Sequence, residues 1–150
     1  FVLIATLAAF SPAVAAQPIS DSALVAQIYD DLARGDVSAV AAVLDDHVLW
    51  TENAGSRRAR RHFGPGTVAM RVLRPQVAAR VTDVPDTIAS AQGRVVAVGT
   101  NRWLDPVTGQ VRTARFYHVW QVDHGRIVGV ERSTRFPTNA PAIEDDTANV

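Results

Sequence analysis

The groups that could do chemistry in this chain are histidine, acidic and arginine side chains. There are four histidines, and all fifteen basic residues are arginine. Histidine and carboxylate side chains can take or give a proton near neutral pH when their surroundings favour it. The four histidines are His47, His62, His118 and His124. They lack the close spacing of metal ligands, such as His-x-x-x-His on a helix, so the sequence predicts no metal site.

Several other chemistries are excluded by composition. The chain has no cysteine, which removes disulfides, thiolate nucleophiles and cysteine-type zinc sites. It has no lysine, which removes Schiff-base mechanisms. The turn Gly64-Pro65-Gly66 lacks the Lys-Ser/Thr of a phosphate-binding loop. A formal net charge of zero gives no general attraction to nucleic acid or to anionic membranes.

A run of four arginines at Arg57, Arg58, Arg60 and Arg61 precedes His62. It could be a basic patch for an anionic partner or a solvated loop before a helix. No aromatic residues alternate with the arginines, as they do in nucleic-acid sites, so the loop is the favoured interpretation. We therefore expect no nucleic-acid partner. Anion binding through this run stays open as a minor alternative.

The first half of the chain is predicted to contain three helices and one strand. Ser20 and Asp21 are typical helix-start residues, and Gly35 ends the first helix. Asp36 can cap a short second helix. A strand is expected over 48–52, and a third helix over 67–81 that Pro75 should kink or divide.

The second half is predicted to be a series of strands. They cover 87–91, 95–104, 111–122 and 126–136, with hairpin turns at 105–109 and 123–125. Because side chains alternate along a strand, His118 shares one face of the third with Phe116 and Trp120. Arg115, Tyr117 and Gln121 share the opposite face. With 47% hydrophobic residues, the pattern indicates one α+β domain with a proper core.

Two segments resemble a known family. Ile28-Tyr29, then 35–37 and 43–50, are similar to the opening of nuclear transport factor two-like domains. The hairpin 116–128, with its Asp-His-Gly-Arg-Ile turn, is similar to their end. The matches cover roughly 20–136. They are similar to the SnoaL-like branch of this family. That branch contains polyketide cyclases and resembles ketosteroid isomerase. The resemblance implies a cone-shaped curved antiparallel sheet wrapped by about three helices around a small pocket.

The resemblance also assigns positions. The catalytic base of ketosteroid isomerase corresponds to Glu52. The second acidic residue of the isomerase and the cyclases, on the penultimate strand, corresponds to His118. The isomerase's tyrosine on the first helix corresponds to Ile28, beside Tyr29. Ile28 cannot donate a hydrogen bond to an oxyanion, so ketosteroid isomerase activity itself is not expected. The family geometry directs Arg132 toward the cavity.

The resemblance thus implies one candidate site with three catalytic side chains, Glu52, His118 and Arg132. Glu52 would exchange a proton, His118 would be the partner acid or orient the substrate, and Arg132 would hold an enolate or carboxylate. No cofactor is implied. If the register of the 95–104 strand were shifted by one residue, Arg102 would face the cavity in place of Asn101 and Trp103. The lining is predicted to be Ile28, Tyr29, Trp50, Asn101, Trp103, Phe116, Trp120, Val130 and Thr134.

Three interpretations of this grouping stay open. Glu52 could simply neutralise a buried Arg132, with His118 a core histidine hydrogen-bonded to Tyr29 or to backbone. The site could bind a small ligand without chemistry. It could also catalyse a cofactor-independent isomerisation, cyclisation, dehydration or hydrolysis of a small apolar or carbonyl-containing substrate. The fold alone does not separate them.

The ends of the chain differ from the domain. Phe1–Phe10 is almost wholly apolar and is followed by small residues up to Ala16, as in a bacterial secretory signal. We therefore expect a signal over 1–16, a mature domain over 17–136, an acidic flexible tail over 137–150, and a secreted or periplasmic location with no membrane attachment after cleavage. The resemblance further implies a homodimer through Arg115, Tyr117 and Gln121 on the outer face of the sheet.

Overall fold

The computed structural model describes residues 19–134. The predicted signal (1–16), the predicted tail (137–150) and the last residues of the predicted final strand lie outside the described residues. Within 19–134 the chain forms helices followed by strands, the α+β arrangement that the sequence indicates. None of the helices in this range is long and apolar enough to cross a bilayer.

The first two helices begin at side-chain caps. α1 spans Asp21–Ala33, and the Ser20 hydroxyl accepts a hydrogen bond from the Ala23 amide at 3.2 Å. α2 spans Val37–Val43, and the Asp36 carboxylate accepts from the Ala39 amide at 3.0 Å. Such caps satisfy amides that have no partner inside the helix. Both predicted start sites are confirmed.

The third helical segment runs without a break from residue 65 to residue 78. It consists of α3 (Pro65–Val68), a π-helical segment (Ala69–Leu73) and α4 (Arg74–Ala78). Pro75 has no amide hydrogen and cannot make the regular helical bond. The wider π-helical turn just before it absorbs this defect. The expected division at Pro75 is therefore a local change of helix type.

Six strands form one sheet in the order β2-β1-β6-β5-β4-β3. All neighbouring pairs are antiparallel except β1 and β6, which are parallel. The expected cone fold is present, and its sheet is mixed and does not close on itself. The strands are β1 (Leu44–Glu52), β2 (Arg60–Phe63), β3 (Thr82–Ala91), β4 (Arg94–Leu104), β5 (Val111–Asp123) and β6 (Arg126–Ser133).

One strand lies where the sequence indicates a loop. β2 contains Arg60, Arg61, His62 and Phe63, of which only His62 is partly buried. It pairs with β1 and is the last strand on that side of the sheet. Charged side chains are typical of edge strands, where they discourage pairing with other chains. The arginine run is therefore part of a sheet edge.

The core lies between the inner face of the sheet and the helices. Trp50 on β1, Phe116 and Trp120 on β5, and Ile28 on α1 are its largest fully buried side chains. Trp50 and Trp120 meet edge to face, with ring centroids 5.7 Å apart. These aromatic side chains form the centre of the core, to which residues of both the sheet and the first helix contribute.

Candidate functional site

The site begins with the register of three adjacent strands. Glu52 on β1 lies beside Arg132 on β6, and Arg132 lies opposite His118 on β5. Neighbouring residues on paired strands direct their side chains to the same face. All three line one cavity of about 70 Å³. Its lining residues are Glu52, Asn53, Asn101, Phe116, His118, Arg132, Ser133 and Thr134.

Arg132 is held by a buried carboxylate that the sequence analysis did not single out. Its Nη2 donates to Asp83 Oδ2 at 2.6 Å, and its Nη1 donates to Gln76 Oε1 at 2.7 Å. The Asp83 side chain is only 2% exposed and also accepts from Asn101 Nδ2 at 2.6 Å. The alternative in which Glu52 neutralises Arg132 is therefore wrong, because Asp83 is the counterion.

His118 is almost completely buried between Phe116 and Tyr29. Its Nδ1 lies 2.8 Å from the Tyr29 hydroxyl, and the Phe116 ring stacks on it with centroids 4.2 Å apart. Burial, and secondarily the charge of Arg132, hold the pKa of His118 well below its ordinary value. His118 is therefore a neutral hydrogen-bonding residue. This corrects the expectation that it titrates near neutrality and serves as an acid.

The hydrogen bonds of His118 also indicate where its proton lies. Arg132 Nε donates to His118 Nε2 at 3.4 Å, and arginine can only donate. This contact fits the tautomer with the proton on Nδ1, which then donates to the Tyr29 oxygen. Trp120 Nε1 donates to the same oxygen at 3.2 Å. Burial raises the pKa of Tyr29, so its hydroxyl stays protonated and neutral.

Glu52 lies at the mouth of the cavity and has partners on β2. Its Oε2 is 3.3 Å from His62 Nε2 and 3.8 Å from Arg60 Nη2. The Glu52 side chain is 23% exposed, so the carboxylate sits at the boundary with solvent and not in the apolar surroundings that were expected. The sequence places His62 next to the arginine run, for which a solvated loop was the favoured interpretation. Only the pairing of β2 with β1 brings it to the site, and no sequence motif signals that pairing.

The other predicted lining residues fall into three groups. Asn101, Phe116 and Thr134 line the cavity, and Tyr29 reaches it through its bond to His118. Trp103 lies outside it, because β4 continues past the cavity: Gly99 pairs with Phe116, whereas Trp103 pairs with Arg112 further along. The core rather than the cavity holds Ile28, Trp50, Trp120 and Val130.

The arrangement offers hydrogen-bond donors inside and an acid at the entrance. Three of the five N–H groups of Arg132 donate to His118, Gln76 and Asp83, and the other two have no hydrogen-bond acceptor among residues 19–134. Within residues 19–134, Glu52 forms neither a hydrogen bond nor an ion pair with Arg132. Over the same residues, no three histidine or acidic side chains converge as metal ligands would.

Comparison with known proteins places this geometry in a family. The chain is similar to a nuclear transport factor two-like protein from Burkholderia thailandensis, with 29% identity, 76% of this chain and 89% of that chain covered, and a TM-score of 0.67. It is also similar to such a protein of unknown function from Burkholderia pseudomallei, with 26% identity, coverage of 78% and 92%, and a TM-score of 0.64.

A third similar structure is a candidate polyketide cyclase from Xanthomonas campestris, with 22% identity, coverage of 75% and 87%, and a TM-score of 0.64. None of the curated proteins matches the sequence. The model of the SnoaL-like domain matches residues 25–130, which include most of α1, the other helices in full and most of every strand. The chain therefore belongs to the SnoaL-like domain family.

Proposed function

We propose that this protein binds a small carbonyl-containing molecule in the cavity and catalyses a proton transfer on it without a cofactor. Arg132 donates a hydrogen bond to the carbonyl oxygen, and Glu52 takes or returns the proton at the neighbouring carbon. His118, being neutral, positions Arg132 and does not exchange protons itself. The observation that carries the proposal is the convergence of Glu52, Arg132 and His118 on one cavity, with Glu52 left uncommitted to Arg132.

The volume of the cavity limits what can enter. A space of about 70 Å³ is much smaller than ordinary ligand pockets of several hundred Å³. It accepts one polar group of a ligand, with the remainder at the mouth beside Asn53, Ser133 and Thr134. Similar folds are consistent with small-molecule ligands: one neighbour was co-crystallised with polyporic acid, and two are candidate polyketide cyclases.

The charges favour a neutral carbonyl over a carboxylate. The positive charge of Arg132 is balanced by Asp83 at 2.6 Å, and Glu52 adds a negative charge at the mouth. A ligand carboxylate would be repelled by the charge of Glu52, and Arg132 would not compensate because it is already paired with Asp83. A carbonyl oxygen needs only donors, and two N–H groups of Arg132 remain for it. We therefore propose ketones and related carbon acids as the substrate class.

The proposal is tested with cyclopentanone as a minimal carbon acid. The exchange of its α-hydrogens for deuterium in D₂O is followed by proton NMR. The wild-type protein is expected to raise the exchange rate above that of buffer. Glu52→Gln should remove most of that increase, since a positioned general base contributes a factor of about 10²–10⁴.

The matched control is Glu131→Gln. Glu131 is exposed and lies next to Arg132 on β6, so its side chain leaves from the opposite face of the strand. This variant should keep the wild-type exchange rate. Equal exchange by Glu52→Gln and wild type would remove Glu52 from the mechanism.

Ligand binding without chemistry is the second candidate function, and one observation favours it. The buried polar groups around Arg132 are already paired with one another, and Trp50 and Trp120 are fully buried in the core. In that case cyclopentanone would shift resonances of the cavity residues in a titration, while the exchange rate would stay at the level of buffer. A secreted or periplasmic location remains part of the proposal, based on residues 1–16.

A further inference from the structure

A second concave surface shares no residue with the candidate site. It is a groove of about 370 Å³ at the end of the sheet where β3 begins, β4 ends and β5 begins. Its lining residues are Arg80, Thr82, Val84, Arg102, Trp103, Leu104 and Val111, and we call it the arginine groove. Its volume lies in the range of sites that bind peptides or small molecules.

The arginine groove is apolar and positively charged at once. Val84, Leu104 and Val111 are 43%, 45% and 57% exposed, which is unusual for apolar residues so close together. Arg80 and Arg102 are exposed, and neither has an ion-pair partner within residues 19–134. A complementary occupant would combine an aliphatic side chain with several carboxylates.

We propose that the acidic C-terminal segment of this same chain, residues 143–146, binds in the arginine groove. The segment reads Ile143-Glu144-Asp145-Asp146 and supplies one branched aliphatic side chain followed by three carboxylates. The isoleucine packs on Trp103 and its apolar neighbours, and the carboxylates pair with the two arginines. Charge-assisted pairs of this kind are stronger than neutral hydrogen bonds.

The chain is long enough to make this contact. β6 is paired to β5 as far as Ser133, which lies opposite Tyr117, and Val111 of the groove lies six residues further along β5. Six residues of strand cover about 20 Å. The twelve residues from 135 to 146 span up to about 40 Å when extended. The segment can therefore follow β5 and enter the groove without disturbing the sheet.

Attachment to the same chain favours this occupant over a separate partner. A tethered segment binds at an effective concentration that reaches the millimolar range for short linkers. Weak contacts with two arginines and a small apolar surface are then sufficient. A second copy or an unrelated protein would have to supply the same chemistry at its ordinary concentration.

Trp103 is the reporter for the test. Trp50 and Trp120 are fully buried, whereas Trp103 is partly exposed in the groove, so acrylamide quenching of tryptophan fluorescence reports mainly on Trp103. In the full-length chain, the triple charge reversal E144R/D145R/D146R should raise the quenching constant severalfold. A high concentration of sodium chloride should act in the same direction, because salt screens exposed ion pairs.

The groove variant R80E/R102E should also increase quenching. Combining it with E144R/D145R/D146R should restore the protection of the wild-type chain, which a general loss of folding would not do. The control D30R/D46R changes two exposed acids outside the groove and should leave quenching unchanged. The proposal is overturned if the triple reversal has no effect, or if protection depends on protein concentration and not on residues 144–146, since a second copy would then occupy the groove.

Discussion

The polar residues of the candidate site stabilise one another in the absence of a ligand. Asp83 accepts from Arg132, Gln76 and Asn101, and therefore keeps the guanidinium fixed at the base of the cavity. The sequence predicted Arg132 but not its partner, because Asp83 lies in the short segment Thr82-Asp83-Val84-Pro85 and carries no motif. A buried counterion becomes visible only when the register of β3 and β4 is known. Asp83 and Asn101 are directly opposite in that register.

The neutrality of His118 gives a prediction about stability and pH. The folded protein keeps His118 unprotonated at pH values where the unfolded chain binds a proton, because the pKa of His118 is lowered by folding. The unfolded state then binds more protons, and the free energy of unfolding falls as the pH decreases below about 6.5. The loss approaches about 1.4 kcal/mol for each pH unit. Urea unfolding measured between about pH 7 and pH 5 should show this slope.

The substitution His118→Gln should flatten this pH dependence, because glutamine does not titrate. The control His47→Gln replaces a histidine whose side chain is 97% exposed and should keep the wild-type dependence. A His118→Gln variant with an unchanged slope would show that another group causes the loss of stability. Nitrogen NMR of the His118 ring near pH 6 offers a direct check, since the ring should remain neutral.

At the scale of elements, sequence patterns located most helices and strands but not all their boundaries. Caps at Ser20 and Asp36 and alternation along β5 are local signals, and the structure confirms them. β2 has no such signal, because its four residues become a strand only through pairing with β1. β3 begins five residues earlier than the predicted 87, since pairing with β4 extends across Pro85 with a register shift.

Gly99 on β4 gives the prediction at this scale. A methyl group built at Gly99 would lie 2.2 Å from the Val84 carbonyl oxygen and 2.7 Å from Phe116 Cζ. Both neighbours are held in the sheet, so the contact cannot be relieved cheaply. Gly99→Ala is expected to destabilise the fold by about 1–3 kcal/mol or more through overpacking. Urea unfolding measures this change.

Gly66→Ala serves as the comparison. A methyl group at Gly66 meets nothing within 4 Å, and the residue lies in α3. Alanine favours helix relative to glycine by up to about 1 kcal/mol, so this variant should be as stable as wild type or slightly more stable. Equal stability of Gly99→Ala and Gly66→Ala would mean that β3 and β4 separate easily at this point.

For the molecule as a whole, the fold was accessible from sequence and the chemistry only partly. Apart from β2, the order of helices and strands followed from patterns in the chain, and the cone and the family followed from the resemblance; these are confirmed. The grouping of Glu52, His118 and Arg132 depended on the register of three strands, and the structure brings them to one cavity. The ionisation states and hydrogen-bond partners of these three side chains could not be predicted from sequence. They depend on the positions of Asp83 and His62 and on how deeply each side chain is buried.

Homodimerisation through the outer face of the sheet remains a prediction. Arg115, Tyr117 and Gln121 would form the contact, and Tyr117 lies at the centre of β5. Sedimentation equilibrium should show a dimer for the wild-type protein and a monomer for Tyr117→Arg, since an unpaired charge inside an interface is costly. Ser90→Arg, at an exposed position on β3, should remain dimeric. A monomeric wild-type protein would contradict the prediction.

The parallel pairing of β1 with β6 has a consequence for how the protein is made. Glu52 and Arg132 are neighbours in the sheet although eighty residues separate them in the chain. On the ribosome, β1 emerges long before β6, the strand that lies between β1 and β5 in the sheet. Contacts between distant residues form slowly because a long loop must close first. Until β6 is complete, the nascent chain therefore carries unpaired edges on β1 and β5 in addition to the permanent sheet edges, which favours aggregation during synthesis.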